Sequence, residues 1–385
     1  MSKIIAFVQF TNHYTNTKRL EFISNSLKDV VESKVILMYK GNDETLSFWI
    51  RKQFEFLIDV MKGKYSVVHV SGISWMTPQL IKLVSVRHCK YVYDSSNVHS
   101  EIMKTLKKNL FTIVLVKFLE ILYIKGADYI VPCGVSFGNY FKKNFSRENN
   151  IILVPDPIDT EKYSNILERK RNGPVIIQQD VLVVAYTSTF DFITISGKGK
   201  LPRGWELVEM LTRLEEVNRN RIKIYLIGKG PSINLLKDLV FKRNLCDRFI
   251  FTGFLNDEEF KEIMITAQVG FMEDYSTLGY KYSVGSKIQE YMSAGLAIIT
   301  GDSPEKKYML CNQKIQELLF KPLDPEVKNG MEDYIKAIMS SFEFALNNVE
   351  KLKEAGEKNR KRASSIFGYE TVNKLVHGLY RKVLK

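Results

Sequence analysis

Short β-branched runs alternate with longer segments of helical period through most of the chain. In the first part, IIAFV (4–8), KVILMY (34–39), SVVHV (66–70), KYVYD (90–94), YIVP (129–132) and IILVP (151–155) read as strands. A second set follows at VLVVAYT (181–187), RIKIYLIG (221–228), RFIFTG (248–253), VGFME (269–273) and LAIITG (296–301). The segments between strands are long enough for crossover helices, which predicts two parallel sheets. The polar stretch 160–180, with its Gly-Pro pair at 173–174, predicts the linker between them. The pattern therefore predicts an α/β protein of two Rossmann-like domains facing across a cleft, over 1–165 and 166–365. A terminal helix over 366–385 carries Val372, Leu375, Val376 and Leu379 on one face. A length of 385 residues suits two domains.

Segment 110–124 departs from the pattern, because only Thr112, Lys117 and Glu120 are polar. A helix apolar nearly all round is usually buried, so a core position is the first expectation. Lys104, Lys107 and Lys108 precede it, and they support a second reading in which the helix meets anionic headgroups.

Composition narrows the partners. The 56 Lys and Arg against 43 Asp and Glu give a net charge of +13, which favours an anionic partner. The basic residues are spread out and no recognition motif accompanies them, which argues against nucleic acid. Anionic lipid and phosphorylated substrates remain. Cys89, Cys133, Cys246 and Cys311 lie far apart, so neither a disulfide framework nor a cysteine zinc site is expected. Neither an export signal nor a run of roughly 18 apolar residues is visible. A cytoplasmic protein is expected, with peripheral attachment to the inner face of a membrane as an option. No Asp-x-Asp metal-binding motif is visible.

Candidate chemistry concentrates in 273–301, EDYSTLGYKYSVGSKIQEYMSAGLAIITG, where a Gly-, Ser- and Tyr-rich loop leads into a helix at Ser286. Backbone N–H groups at a helix start attract anions, and Gly285 permits close approach. Lys287 places a cation in that first turn, against the helix dipole, at a cost of ~0.3–1 kcal/mol unless an anion lies nearby. A solvated surface lysine is the alternative. Glu290, one turn on, is placed to accept from ribose hydroxyls, or else is a solvated helix glutamate. Arg203, just before the helical pattern WELVEMLTRL, repeats the conflict of a cation at a helix start. Gly228-Lys229-Gly230-Pro231 follows a strand at the end where open α/β sheets bind ligands, although Gly-Pro turns also end strands for structural reasons. His99 follows the strand KYVY and is either a sugar-facing donor or base or the cap of the next helix. His13, in the polar and aromatic loop after the first strand, is a lesser catalytic candidate suited to an acceptor.

In this order the pieces resemble glycosyltransferase family 4 (group 1), of the GT-B fold. RGWELVEML resembles the family's "KG…L…A" helix start, with Arg203 in the lysine's place, and YLIGKGP its "GDGP" turn. FTGFLNDEEF resembles its "F.G.v…el" strand and helix, and SKIQEYMSAGLAIITGD its "K..EYMAAG.PVI..D" signature. VPDPIDTEKY (154–163) resembles "vpNGvD...f", with Asp156-Pro157 replacing Asn-Gly. The likeness covers about 150–385. In the first half only the layout and Glu120…Ala127-Asp128 match. Tyr282 stands where the family's first paired glutamate belongs, and Thr187-Ser188-Thr189 replaces its Gly-Arg.

The resemblance implies metal-independent transfer of a hexose from a UDP- or GDP-type nucleotide sugar to a glycan or lipid-linked acceptor. No cofactor is implied, and retention or inversion stays open. It places the diphosphate on Arg203 and Lys287, with Gly228, Lys229, Tyr282, Gly285 and Ser286 around the donor. Glu290 falls to the ribose and His99 to the reacting sugar. Two alternatives are a nucleotide-sugar epimerase, which five histidines in the chain hardly support, and a non-catalytic nucleotide- or glycan-binding protein.

Overall fold

A computed structural model describes residues 4–9, 14–38, 46–85, 89–95, 98–105, 108–145, 150–164, 181–195, 198–276, 282, 285–325 and 330–385. The chain divides into two compact units, Met1–Pro157 with Tyr369–Lys385, and Ile158–Gly368. Most of the linker expected at 160–180 lies outside the described residues, as do His13 and Lys107.

The first unit runs β1 (Ile4–Gln9), α1 (Tyr14–Ser26), β2 (Glu32–Leu37), α2 (Leu46–Met61), β3 (Val67–Ser71), α3 (Pro78–Val84) and β4 (Lys90–Ser95). It continues with α4 (His99–Thr105), α5 (Leu110–Gly126), β5 (Tyr129–Pro132) and α6 (Val135–Phe145). Its strands form one parallel sheet in the order β2-β1-β3-β4-β5. Every residue of β3 is buried, as expected of a strand covered on both faces. Ile5, Phe7, Val67, Val92 and Val131 form a core with Val372, Val376, Leu379 and Val383 of the C-terminal helix Tyr369–Val383. Leu375, expected on that helix face, is exposed. It flanks the stripe traced by the 3.6-residue period.

Under this sheet lies a buried polar network. Arg19 Nε donates to Asp94 Oδ2 at 2.8 Å, and its Nη1 donates to Asp156 Oδ1 at 3.0 Å. The His69 ring bridges Asp94 Oδ2 at 3.2 Å and the Tyr380 hydroxyl at 2.7 Å.

Two expectations fail here. IILVP is not a full strand: only Ile151 bridges Ile130, and Ile152 and Val154 donate to Ile130 and Pro132. Pro155 and Pro157 have no N–H to continue a ladder. Helix α5 is not a core helix either. Glu120, Tyr123 and Ile124 are buried, Leu119 and Leu122 are half-buried, and Leu110, Phe111, Val114, Leu115 and Phe118 are exposed.

The second unit runs β6 (Leu182–Thr187), β7 (Phe192–Ile195), β8 (Gly199–Pro202), α7 (Trp205–Arg213), α8 (Glu216–Asn220), β9 (Ile222–Ile227), α9 (Ile233–Lys242) and β10 (Phe249–Gly253). Then come α10 (Asp257–Thr266), β11 (Val269–Met272), α11 (Ser286–Ser293), β12 (Ala297–Gly301), α12 (Pro304–Met309), β13 (Leu319–Phe320), α13 (Gly330–Asn347) and α14 (Val349–Phe367). The sheet is again parallel, ordered β10-β9-β6-β11-β12-β13. Helix α7 buries Trp205, Leu207, Val208, Met210 and Leu211 against it. Strands β7 and β8 pair antiparallel as a separate two-stranded sheet that the sequence pattern does not announce.

Candidate functional site

Loops at the carboxyl ends of β6, β9 and β11 gather the candidate residues of the second unit, the end at which open α/β sheets bind ligands. Arg203 leaves β8 with its backbone N–H on the Asp191 carbonyl at 3.1 Å, and Gly204 follows in the left-handed region at φ 92°. Arg203 Nη1 lies 2.5 Å from Glu273 Oε1, the first residue after β11. Glu273 is buried, with its Oε2 lacking a hydrogen-bond partner among the described residues. Lys287, in the first turn of α11, sets its Nζ 5.8 Å from the centroid of the Tyr186 ring. The Tyr291 hydroxyl on α11 accepts from Thr187 N at 2.7 Å, which ties the helix to the end of β6.

The four charges of this cluster titrate apart. Burial works to raise the Glu273 carboxyl, but Lys287 and Arg203 outweigh it and hold the group below the usual carboxylate range. Burial, with the nearby Glu273 charge, pushes Glu206 up to about 8. Burial lowers Lys287, opposed by Glu273. Near pH 7 Glu206 thus keeps its proton while Glu273 is ionised. Arg203 and Lys287, beside the N–H groups that open α11, suit a polyanion.

Gly228 and Gly230 serve the packing of two loops. A Cβ on Gly228, at φ 129°, would stand 2.0 Å from the Ser188 carbonyl oxygen, and one on Gly230 would stand 1.8 Å from that of Thr189. No side chain fits at either position. Lys229 is exposed, with its Nζ 5.5 Å from the Phe254 ring centroid. Gly285, at φ 68°, sits against the Met272 thioether, and Ser286 opens α11 on the surface. Glu290 does not point wholly into solvent: it is half-buried and accepts from the Tyr163 hydroxyl. Tyr163 is fully buried. Sequence reasoning passed over it, although it stands at the aromatic position of "vpNGvD...f", where its hydroxyl was the available signal.

Residues 205–362 match the family described as glycosyl transferases group 1. The match lies within the second unit and makes that stretch similar to a group 1 glycosyl transferase domain. Among solved structures, sucrose-phosphate synthase from Thermosynechococcus elongatus aligns with a TM-score of 0.70 at 16% identity, covering 99% of each chain. The Anabaena protein HepE, in complex with UDP-glucose, aligns at 0.63 and 12% identity, over 98% of this chain and 99% of that one. WaaG, a glycosyltransferase involved in lipopolysaccharide biosynthesis, aligns at 0.62 and 14% identity, over 97% and 99%. No curated protein matches the sequence. The fold is GT-B, and the protein is a glycosyltransferase.

His99 belongs to the transferase's first unit, at the start of α4. Its backbone N–H donates to Glu120 Oε1 at 2.8 Å, and Ser100 Oγ donates to Glu120 Oε2 at 2.7 Å. Its shielded Nε2 has no partner among the described residues, and burial lowers the ring to about 4, so the imidazole is neutral at pH 7. Glu120 and Asp128, which matched the family in layout, are structural anchors. Asp128 accepts from Tyr91 N and from Lys82 Nζ, each at 2.7 Å. Tyr282 is half-buried and brings no carboxylate. Among the described residues, no three His, Cys, Asp or Glu side chains gather to hold a metal ion.

Proposed function

We propose that the transferase moves a hexose from a UDP- or GDP-type nucleotide sugar to a hydroxyl of a glycan or lipid-linked acceptor, without a metal. The observation that carries this reading is that Arg203, just after β8, and Lys287, in the first turn of α11, both act on the Glu273 carboxylate. Two cations and the helix's N-terminal N–H groups meet the charge that grows on the leaving diphosphate. HepE, of the same fold, is seen with UDP-glucose. Glu290, held by Tyr163, is placed to accept from the ribose hydroxyls. Arg203→Ala and Lys287→Ala should each weaken nucleoside diphosphate binding by about 1.5–3 kcal/mol, the range for charged hydrogen bonds. Titration calorimetry with UDP and GDP checks this, and unchanged affinity in both variants rejects the clamp. Incubation with radiolabelled nucleotide sugars separates turnover from binding alone.

A lipid-linked acceptor would place the first unit at an anionic membrane surface. The exposed apolar residues of α5 support this, and α2 adds a stripe of Ile50, Phe54, Ile58 and Met61 at helical spacing. Helix α3 packs against both helices and exposes Leu83. Among the described residues, no helix is long and apolar enough to cross a membrane. Flotation with anionic vesicles should carry the protein at low salt and lose it at high salt, since headgroup attraction amounts to ~1 kcal/mol per basic residue. Replacing Lys104, Lys107 and Lys108 with glutamate should abolish flotation and leave nucleotide affinity intact. Absence of the protein from the lipid fraction at any salt sinks the idea.

A further inference from the structure

The clamp is already engaged, by a group of the protein itself. Arg203, 70 residues away in sequence, meets Glu273 at 2.5 Å, and the carboxylate is 1% exposed. Lys287 and Arg203 both act on that carboxylate, so the two cations that would hold a diphosphate share one internal anion. Glu273 stands at the carboxyl end of β11, directly after Met272, where the next strand-end loop begins. That is the end of the sheet at which open α/β folds bind ligands. Its Oε2 makes no hydrogen bond among the described residues, so the carboxylate keeps spare acceptor capacity.

Resting on the diphosphate reading of Arg203 and Lys287, we infer that Glu273 is a resident counterion that the donor's diphosphate must displace. Like charges repel at short range, so a bound diphosphate and the Glu273 carboxylate compete for the same two cations. Such a counterion holds Arg203 and Lys287 in place in the ligand-free protein. It also lowers affinity for the nucleoside diphosphate product, which then leaves readily.

Glu273→Gln keeps the shape and removes the charge. It should tighten UDP or GDP binding by roughly tenfold, because two unit charges a few ångströms apart interact by several kcal/mol at the screening of a protein surface. The gain should appear as slower product dissociation in stopped flow. The ligand-free variant should melt lower than wild type, having lost the ion pair between Arg203 and Glu273, and UDP should raise its Tm by more than it raises the wild type's. If Glu273→Gln does not fold, Glu273→Asp, which draws the carboxylate back by one methylene, should tighten binding in the same direction but less. Arg203→Ala serves as the control. Weakened binding in Arg203→Ala together with unchanged or weakened binding in the Glu273 variants overturns the counterion and leaves the clamp standing. Unchanged binding in both Arg203→Ala and Lys287→Ala overturns the clamp and the counterion with it.

Discussion

Replacing Asp94 with alanine is expected to destabilise the first unit by about 3–5 kcal/mol, the cost of breaking a buried ion pair from one side. Asp94 is 1% exposed and accepts both Arg19 Nε, at 2.8 and 3.1 Å, and His69 Nε2 at 3.2 Å. Without it, the buried Arg19 guanidinium keeps Asp156 and the Val154 carbonyl, and the His69 ring keeps the Tyr380 hydroxyl. Tyr380 lies in the C-terminal helix, so the loss should spread to the packing of Val372, Val376 and Leu379. Burial works to raise the Asp94 carboxyl, but Arg19 and His69 outweigh it and hold it below the usual carboxylate range. A carboxyl depressed in the folded state adds stability above its unfolded pKa, and that stability is lost as pH falls through the folded value. The wild type should therefore lose stability steeply below about pH 4, whereas the variant should be flatter there. Hydrogen exchange across β4 and Tyr369–Val383 measures both effects. Wild-type protection in the variant would show that the network contributes little.

How far such features were legible depends on their range along the chain. β-Branched runs of four to eight residues carry their own signal, and the strands of both sheets except the two-residue β13 lie where those runs do, with ends slightly shifted. The hairpin β7–β8 was not legible, because GKLP has no apolar alternation and its pairing with FITI is a tertiary fact. Helix α5 misled for a different reason. A segment apolar all round shows no preferred face, so the sequence could not say that only the side carrying Glu120, Tyr123 and Ile124 is covered. In the site, Arg203 and Lys287 stood out because a cation at a helix start conflicts locally with the dipole. Glu273, Glu206 and Tyr163 carried no such conflict. Each gains its meaning from a partner brought in by the fold, and an isolated glutamate reads as solvated.

Glu206 shows what that long-range assembly does to titration, and it yields the last expectation. The residue is fully buried at the start of α7, near Glu273, and its carboxyl is pushed up to about 8 from 4.5. Between those two values the folded protein keeps a proton that the unfolded chain releases. Stability should therefore fall as pH rises from about 4.5 to 8 and level off above that. Glu206→Gln mimics the protonated acid and removes this slope, so above pH 8 it should be more stable than wild type by roughly 2–5 kcal/mol, at about 1.4 kcal/mol per pKa unit. The same change bears on the donor. Below the transition, Glu206 adds no charge to the cluster of Arg203, Lys287 and Glu273. Above it a second carboxylate joins the cluster, among Tyr186 and Tyr334, and weakens its attraction for an anion. Nucleoside diphosphate affinity of the wild type should drop as pH rises through about 8, and that of Glu206→Gln should hold. Denaturation and calorimetric titrations from pH 6 to 9 read out both effects. Parallel pH profiles for the two proteins would mean that Glu206 is ionised throughout.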